Sequence, residues 1–272
     1  MRGMFRTRSV VAAAVLATAA VSVGFAQGRG GTAPQATPQR ILVQVTQVKP
    51  EMAAAFENLI KTELVPAAKK SGQPFRWTYT NGPVGGPGFS YTAVTPVADF
   101  TIFDQPNGPA ARRAMGETAW SAYQAKLRPM IVSTESSLLT LRQDLSLPGA
   151  GMPPALALVT AYQIAPGKGD EFTRSMTTDY LPNYRKAGVK SFAVYAVSYG
   201  DVPQGRVVTV RGISKYADLD GLGLLRQAGL SAEAANQINL RRAAIATGAS
   251  NVVQRFIPEM SFGAIPTAAP SR

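Results

Sequence analysis

The sequence of 272 residues contains no cysteine and no histidine, and these two absences exclude several kinds of chemistry. Without cysteine the chain forms no disulfide and offers no thiol nucleophile. Without histidine it has no Ser-His-Asp triad, no His-ligated haem and no Cys/His zinc site. Acid–base chemistry must therefore use Asp, Glu, Lys or Tyr. Composition alone leaves an all-carboxylate metal site open, but there is no DxDxDG-like run typical of calcium loops, and we expect neither a metal nor a cofactor.

Acidic residues are scarce: 16 Asp and Glu face 28 Lys and Arg, which gives a formal charge of +12. The basic residues are spread along the chain, and the longest clusters after the N-terminal region are pairs such as Lys69-Lys70 and Arg241-Arg242. Proteins that bind nucleic acid concentrate their positive charge on one element. We therefore expect a solvated basic surface and no nucleic-acid partner, with weak attraction to anionic cell-envelope surfaces left open.

Long apolar runs are also scarce, and the N-terminus holds the longest one. Arg2, Arg6 and Arg8 precede an apolar run at residues 10–23, and small residues follow up to Ala26. This layout is typical of a secretory signal peptide at residues 1–26, cleaved near Ala26. An uncleaved anchor is the alternative, but the run is shorter than the roughly 20 residues of a membrane span. The sequence thus predicts a periplasmic or secreted protein with a flexible leader at residues 27–39.

One stretch occurs twice, because residues 50–72 match residues 166–188 at a constant offset of 116. In both copies proline suits the first helical turn, apolar residues recur at helical spacing, and glycine ends the helix. The identical matched residues are Pro50 and Pro166, Phe56 and Phe172, Thr62 and Thr178, Pro66 and Pro182, Lys70 and Lys186, and Gly72 and Gly188. Such a repeat predicts a duplicated structural unit.

Hydrophobic periodicity gives both halves the same order of elements, β-α-β-β-α-β, which is the ferredoxin-like unit. Predicted strands span residues 41–48, 75–80, 89–95, 138–145, 156–164, 190–199, 206–213 and 251–260, and predicted helices span 51–71, 110–131, 167–187 and 222–248. The last helix should break near Gly229, with Ser231 as an N-cap. We therefore predict an α+β chain of two tandem ferredoxin-like repeats that form an intramolecular α/β barrel. The predicted repeats span residues 40–147 and 155–262, with a linker at 148–154 and a disordered tail at 263–272.

These features carry a family resemblance. In both copies, T-[ED]-x-[LV]-P-x-x-[KR]-K-x-G precedes an alternating strand, a glycine turn, a further strand ("VTV" at residues 208–210 in the second copy) and an Ala-Asp pair, Ala98-Asp99 or Ala217-Asp218. The pattern resembles the dimeric α/β-barrel superfamily, above all its NIPSNAP-like and antibiotic-biosynthesis-monooxygenase-like branches, over residues 40–145 and 155–261. The resemblance implies that one chain forms the barrel that other members form from two. Members include cofactor-free monooxygenases, isomerases and haem or chlorite enzymes; the haem-binding members use a proximal histidine, so that activity is not carried over.

One acidic residue in each copy of the repeat lies among apolar positions. Glu63 follows Phe56 by seven residues, and Asp179 follows Phe172 by seven. Because seven residues make about two helical turns, each acid falls on the apolar stripe, where an unpaired charge is costly. The functional interpretation is a general base, which makes Glu63 and Asp179 the candidate catalytic residues. The structural interpretation is a carboxylate paired with a basic neighbour or a backbone donor, and its occurrence in both halves favours that interpretation.

The strands supply the candidate ligand-binding residues, because one face of each strand in a closed barrel lines the interior. If the more polar face does so, Arg76 and Arg211 are candidate carboxylate binders, and Tyr162, Thr46 and Thr92 are further candidates. That face comprises Gln44, Thr46, Arg76, Thr78, Ser90, Thr92, Thr160, Tyr162, Thr209 and Arg211. The alternative, that the opposite face of each strand lines the interior, stays open; that face contains Trp77, Tyr79 and Tyr91.

The sequence therefore favours an exported α/β-barrel protein that binds a small molecule or another protein. One alternative is a cofactor-independent monooxygenase or isomerase that acts on a small aromatic compound in the barrel, and another is a structural cell-envelope protein. We expect no transmembrane segment after signal cleavage, and oligomerisation is left open. A cavity with an acid and an aromatic slot would favour the enzyme, whereas an interior filled by side chains would exclude both ligand-based functions.

Overall fold

Eight antiparallel strands close into a barrel in the computed structural model, which describes residues 40–104, 110–148, 152–200, 205–221 and 223–264. The strands are β1 (Arg40–Val48), β2 (Trp77–Asn81), β3 (Ser90–Pro96), β4 (Ile131–Leu141), β5 (Leu156–Ile164), β6 (Phe192–Tyr199), β7 (Arg206–Ile213) and β8 (Ala246–Phe256). Around the barrel they follow the order β1-β3-β2-β8-β5-β7-β6-β4. The α+β class and the barrel predicted from the sequence are confirmed.

Helices follow β1, β3, β5 and β7 along the chain. They are α1 (Ala53–Leu59), α2 (Val65–Lys70), α3 (Ala110–Met115), α4 (Glu117–Leu127), α5 (Gly169–Ser175), α6 (Leu181–Lys186), α7 (Leu224–Gln227) and α8 (Ala232–Ile245). The last helical region is broken as predicted, and the Ser231 side chain accepts a hydrogen bond from the Ala234 N–H at 3.1 Å. In the part of the chain that the structure describes, no helix has the length and apolar character needed to span a membrane.

Two seams close the barrel between the halves of the chain. Strands β1 to β4 neighbour one another, and so do β5 to β8. At one seam β2 pairs with β8, where Tyr79 lies opposite Phe256; at the other β4 pairs with β6, where Leu141 lies opposite Tyr195. Every strand therefore has two neighbours, and the interior is enclosed by strands from both halves.

The repeated helix contains one wide turn just before its proline in each half. A π-helical turn at Ile60–Leu64 joins α1 to α2, and another at Met176–Tyr180 joins α5 to α6. At each turn's end a backbone N–H bonds five residues back, from Val65 to Ile60 and from Leu181 to Met176. The next residue is proline, which has no N–H to continue the i to i−4 ladder. The wide turn absorbs that interruption within an otherwise continuous helical segment.

Two strands begin earlier than the sequence predicts. The helical pattern extended to residue 131, but α4 ends at Leu127, because Pro129 follows in a short 3₁₀ turn and cannot continue an α-helix. The polar segment at residues 133–137 then pairs with β1 rather than forming a loop. Strand β8 likewise starts at Ala246 and pairs with β5. The neighbouring strands' need for hydrogen-bond partners outweighs the weak strand propensity of these polar segments.

Three apolar layers hold the fold together. The first-half helices pack on one outer face of the barrel around Phe56 and Tyr123. The second-half helices pack on the other around Phe172 and Ile238. The third layer lies inside the barrel and includes Trp77, Tyr79, Leu139, Tyr195 and Phe256. Each strand thus packs on helices with one face and borders the interior with the other.

Several predicted segments lie outside the described residues. They are the signal peptide at 1–26, the leader at 27–39, residues 149–151 of the predicted linker and residues 265–272 of the predicted tail.

Candidate functional site

The barrel interior contains a cavity of about 690 Å³, which is the size range of small-molecule sites. All eight strands contribute to its wall. The apolar part consists mainly of small and branched side chains: Ile41, Val43, Val45, Val94, Leu139, Ala157, Val159, Ala161, Ala193, Val197, Val208, Val210 and Val252. These small residues, above all the alanines of β5 and β6, leave the interior open, because they do not fill a barrel of this size.

Three large aromatic side chains supply hydrogen-bond donors to this wall: Trp77, Tyr79 and Tyr195. The Trp77 indole stacks on Phe75 with ring centroids 4.0 Å apart, which holds its orientation. Its N–H is buried and has no hydrogen-bond partner among the described residues. A buried donor without a partner costs about 1–3 kcal/mol, so an acceptor placed in the cavity is stabilised there.

The two tyrosines remain neutral donors at ordinary pH. Burial raises the pKa of Tyr195 to about 12. Burial, together with the neighbouring Tyr195, also raises the pKa of Tyr79. The low-dielectric interior disfavours the phenolate form. Both phenols can therefore donate a hydrogen bond to a ligand oxygen, but neither serves as a base near neutral pH.

Polar residues gather toward one end of the cavity. Gln254 donates from Nε2 to Thr92 Oγ1 at 2.8 Å and to Asn81 Oδ1 at 3.2 Å, so this polar cluster is held by its own hydrogen bonds. Glu135 and Arg206 also line the wall. Glu135 is exposed and is the one carboxylate among the described wall residues. The cavity therefore combines an apolar body with a polar, solvent-connected end.

The structure corrects the prediction of which face of each strand lines the barrel interior. On β1, Val43 and Val45 line the cavity, so Gln44 and Thr46 lie on the opposite face of the strand. On β2, the phase with Trp77 and Tyr79 faces inward. The predicted polar face is present only on β3, through Ser90 and Thr92. Packing favours apolar residues inside the closed barrel, which overrides the expectation that its interior is polar. The outward-facing members of the predicted polar set are Gln44, Thr46, Arg76, Thr78, Thr160, Tyr162, Thr209 and Arg211.

A second cavity of about 400 Å³ lies outside the barrel, between second-half strands and helices α6 to α8. Arg211 and Tyr162 line this cavity together with Thr160 and Thr209. The structure therefore brings these four residues together, but on the helix side of the sheet. Among the ligand-binding candidates, Thr92 lines the barrel cavity, and Thr46 and Arg76 line neither cavity.

The backbone of Arg76 is hydrogen-bonded to that of Phe262, and its side chain is buried. Its N–H donates to the Phe262 carbonyl at 3.1 Å, and its carbonyl accepts from the Phe262 N–H at 2.8 Å. The Nε atom is buried without a partner in the described part of the chain. Burial lowers the pKa of Arg76, and the electrostatic effect of Tyr123 on α4 partly opposes this. Arg76 therefore lines neither of the two cavities described here.

Glu63 and Asp179 both pair with basic residues on a neighbouring helix. Glu63 Oε1 lies 2.7 Å from Lys126 Nζ, and Asp179 Oδ2 lies 3.2 Å from Arg241 Nη2. Ser175 also donates from Oγ to Asp179 Oδ2 at 3.3 Å. Neither carboxylate lines either cavity. Each acid therefore has the basic partner that the structural interpretation requires.

Sequence reasoning did not identify Tyr195, Glu135 or Gln254 as wall residues. One signal was present for Tyr195, because it stands 116 residues after Tyr79, at the offset of the repeated helix. No comparable signal marked Glu135, which lies in a polar segment that reads as a loop. Only the pairing of that segment with β1 places Glu135 beside the cavity.

Comparisons with known proteins support the fold. No protein-family model and no curated protein sequence matches this chain. Among solved structures, an anthrone oxidase-like protein superposes with a TM-score of 0.56 at 12% identity, covering 88% of this chain and 98% of that one. A candidate monooxygenase from Fusobacterium nucleatum superposes with a TM-score of 0.51 at 11% identity, covering 82% of this chain and 94% of that one. A candidate monooxygenase from Lactobacillus acidophilus superposes with a TM-score of 0.50 at 7% identity, covering 84% of this chain and 98% of that one. At these identities the likeness supports the α+β barrel fold alone.

Proposed function

We propose that the barrel binds a hydrophobic aromatic molecule that carries one oxygen acceptor for Trp77, Tyr79 and Tyr195. The observation that carries the proposal is the buried Trp77 indole N–H, which has no hydrogen-bond partner among the described residues and borders a cavity of about 690 Å³. The apolar wall supplies affinity through burial, and the three neutral donors supply orientation. An open interior of this kind argues against a purely structural envelope protein.

Tryptophan fluorescence tests this proposal, because the chain contains only two tryptophans. In the Trp120→Phe variant the remaining indole is Trp77. We expect 1-naphthol to quench this indole and to bind roughly tenfold more tightly than naphthalene, which lacks the oxygen.

Two variants make the test specific. Trp77→Phe should reduce the preference for 1-naphthol in calorimetry, because one of the three donors is lost. Ala193→Trp should fill the cavity and abolish binding of both compounds. Equal binding of naphthalene and 1-naphthol by the Trp120→Phe variant, or unchanged binding by Ala193→Trp, would contradict the proposal.

A second candidate is a cofactor-independent monooxygenase in the same cavity. Two of the structural neighbours are candidate monooxygenases, and another is an anthrone oxidase-like protein. An anthrone has an acidic CH₂ group, and its conversion to C=O consumes one O₂ and releases one water. A base removes a C–H proton, the resulting carbanion reduces O₂ to a hydroperoxide on that carbon, and the hydroperoxide loses water. The substrate itself supplies the electrons.

The wall residues fit roles in that reaction. Glu135 lies opposite Val45, Val45 opposite Thr92, and Thr92 opposite Tyr79, so Glu135 and Tyr79 stand in one row of the wall. Glu135 would accept the C–H proton. The neutral phenols and the Trp77 N–H would donate to the oxyanion that forms when the proton leaves.

Oxygen uptake tests this second candidate. We expect the protein with an anthrone to consume O₂ and to place one atom of isotope-labelled oxygen in the product. Glu135→Gln should reduce kcat at least about 100-fold. The control is Glu117→Gln, an exposed carboxylate paired with Arg112 on the helices. The alternative isomerase would convert its substrate without O₂ uptake, and uptake unaffected by Glu135→Gln would contradict the assigned base.

Export is a further part of the proposal. The basic residues, apolar run and small residues at 1–26 support cleavage near Ala26 and a periplasmic or secreted location. N-terminal sequencing of the protein from its native cells should begin at or near Gln27. A sequence that begins at Met1 in the membrane fraction would instead identify an anchor.

We also infer that the two halves are fused ferredoxin-like repeats, as the NIPSNAP-like resemblance implies. The support is the shared element order and the two π-helical turns that precede Pro66 and Pro182. Separate expression of residues 40–147 and 155–262 tests this inference. We expect the two fragments to associate into a complex with the far-ultraviolet circular dichroism of the intact chain. Failure of the mixed fragments to associate would count against two independent units.

A further inference from the structure

We propose that the second cavity binds a small ring-bearing carboxylate, held by Arg211 from the sheet and by Arg242 from helix α8. This site is separate from the barrel interior and does not depend on the function proposed there. Its volume of about 400 Å³ is enough for one aromatic ring and a charged head group. The walls hold arginines together with tyrosines and a phenylalanine, which is the pairing that an aromatic anion requires.

Among the described residues, no ion pair involves Arg211 or Arg242. Asp218 also lines the cavity, and its carboxylate accepts from the backbone N–H groups of Ser214 and Lys215 at 2.8 and 3.1 Å. These hydrogen bonds, with a smaller electrostatic contribution from Arg211, lower the pKa of Asp218. The two guanidinium groups are half-buried, so water solvates them only in part. Arg242 donates from Nη1 to the Tyr162 hydroxyl at 3.4 Å, and a carboxylate would add the shorter, charge-assisted hydrogen bonds that a neutral phenol does not supply.

The equivalent position in the first half carries an ion pair that Arg242 lacks. Lys126 occupies the position 116 residues earlier and pairs with Glu63. In the second half Asp179 pairs with Arg241 instead, which leaves Arg242 without the equivalent ion pair. Arg242 lies over the Tyr162 and Tyr180 rings, with centroids 5.6 and 5.2 Å from its Cζ atom. These contacts fix the orientation of the guanidinium group but leave its charge unneutralised.

Tyrosines line the same cavity as the two arginines. Tyr184 replaces the alanine found 116 residues earlier, and Tyr162 replaces a threonine. Burial raises the pKa of Tyr184, while Arg242 and Arg211 both act in the opposite direction. Arg242 on helix α8, Arg211 on strand β7 and Tyr184 on helix α6 all line this one cavity. A carboxylate bound in the cavity would therefore have two cationic side chains in the surrounding wall.

Fluorine NMR on the full chain tests the site with three probes that share one ring. They are 4-fluorobenzoate, its neutral isostere 4-fluorobenzamide, and 4-fluorophenyl phosphate. We expect 4-fluorobenzoate to bind at least about tenfold more tightly than the amide, because the charged hydrogen bonds are lost in the amide. We also expect it to bind more tightly than the aryl phosphate.

Matched variants locate the binding. Arg242→Gln and Arg211→Gln should each weaken 4-fluorobenzoate at least about tenfold, whereas Arg241→Gln, the adjacent and already paired arginine, should change it less than about twofold. Arg242→Lys should retain part of the affinity, which separates lost charge from a folding defect; circular dichroism and thermal unfolding check each variant. The barrel variant Ala193→Trp should bind 4-fluorobenzoate normally.

Four results would overturn the proposal. They are absence of 4-fluorobenzoate binding, equal affinity for the amide, unchanged affinity in Arg242→Gln and Arg211→Gln, and a clear preference for the aryl phosphate. The last result would assign the same arginines to a phosphate ester. Loss of 4-fluorobenzoate binding in Ala193→Trp would place the ligand in the barrel.

Discussion

Tyr79 and Tyr195 lie on opposite walls of the barrel, 116 residues apart in the sequence. Strands β2 and β6 carry them and stand four positions apart around the eight strands. The offset is the same as that between the two copies of the repeated helix. The two tyrosines face the cavity, whereas the repeated helices pack in the outer layers. This relationship leads to the first prediction.

The buried phenols should make stability fall at high pH. The pKa of Tyr195 is about 12 in the folded chain, compared with about 10 for an exposed tyrosine. The unfolded chain therefore loses its phenol proton first as the pH rises. The stabilisation is complete below about pH 10 and declines between about pH 10 and 12.

Urea unfolding measured at pH 8 and at pH 11 tests this expectation. The wild type should lose more free energy of unfolding over that interval than Tyr195→Phe, by roughly 1–2 kcal/mol. Tyr199→Phe is the control, because Tyr199 is exposed. Identical pH dependence in the wild type and Tyr195→Phe would show that Tyr195 titrates normally.

Glu63 and Asp179 should matter little to stability. Both ion pairs are partly exposed, with a side-chain exposure of 55% for Lys126 and 55% for Arg241. Exposed pairs contribute roughly 0–1 kcal/mol. We expect Glu63→Gln and Asp179→Asn each to lower the free energy of unfolding by less than about 1 kcal/mol and to leave 1-naphthol binding unchanged. A large loss of ligand binding or of O₂ uptake in either variant would restore the catalytic interpretation.

Ser231 should stabilise helix α8 through its cap. Its side chain accepts from the Ala234 N–H, which otherwise has no partner within the helix. Ser231→Ala should lower the free energy of unfolding by about 1 kcal/mol, whereas Ser231→Gly should lower it by only about a few tenths of that amount, because glycine is tolerated at an N-cap. Thermal unfolding of the three proteins should give the order serine, glycine, alanine. An alanine variant as stable as the wild type would show that the cap contributes nothing.

Two glycines with the same backbone conformation should differ in their response to alanine. Gly72 (φ +78°) has open space where a Cβ would stand. Gly72→Ala should therefore lower the free energy of unfolding by only about 1 kcal/mol, the cost of a left-handed backbone conformation for alanine. At Gly85 (φ +77°) a Cβ would meet the backbone oxygen of Asn251 on β8. Gly85→Ala should therefore cost roughly 2–4 kcal/mol by urea unfolding. Equal losses in the two variants would indicate that the loop before β3 shifts freely.

The sequence predicted the elements much better than it predicted the site. The β-branched run of β1 and the turns at Gly72 and Gly188 carry strong local signals, so their elements agree with the structure to within a few residues. The start of β4 carries no such signal, because its polar residues form a strand only through pairing with β1. Glu135 was missed for the same reason, although it is the carboxylate on the cavity wall.

The facing of the strands shows the same limit. Period-2 alternation identifies two faces of a strand but does not say which one turns inward. On β2 the inward face proved to be the one with Trp77 and Tyr79, and on β3 the one with Thr92. The choice depends on which face the helices cover, and that contact is made between residues distant in the sequence.

The amino-acid sequence alone thus determined the absence of thiol and imidazole chemistry, the duplicated helix and the α+β class, because composition and local periodicity are properties of the chain. Only the tertiary structure decided that an apolar cavity lies inside the barrel and that Arg211 and Arg242 share a second one outside it. Arg211 lies on a strand and Arg242 on a helix, 31 positions apart. No local pattern encodes their meeting, which follows from the closure of the sheet and the packing of α8 against it.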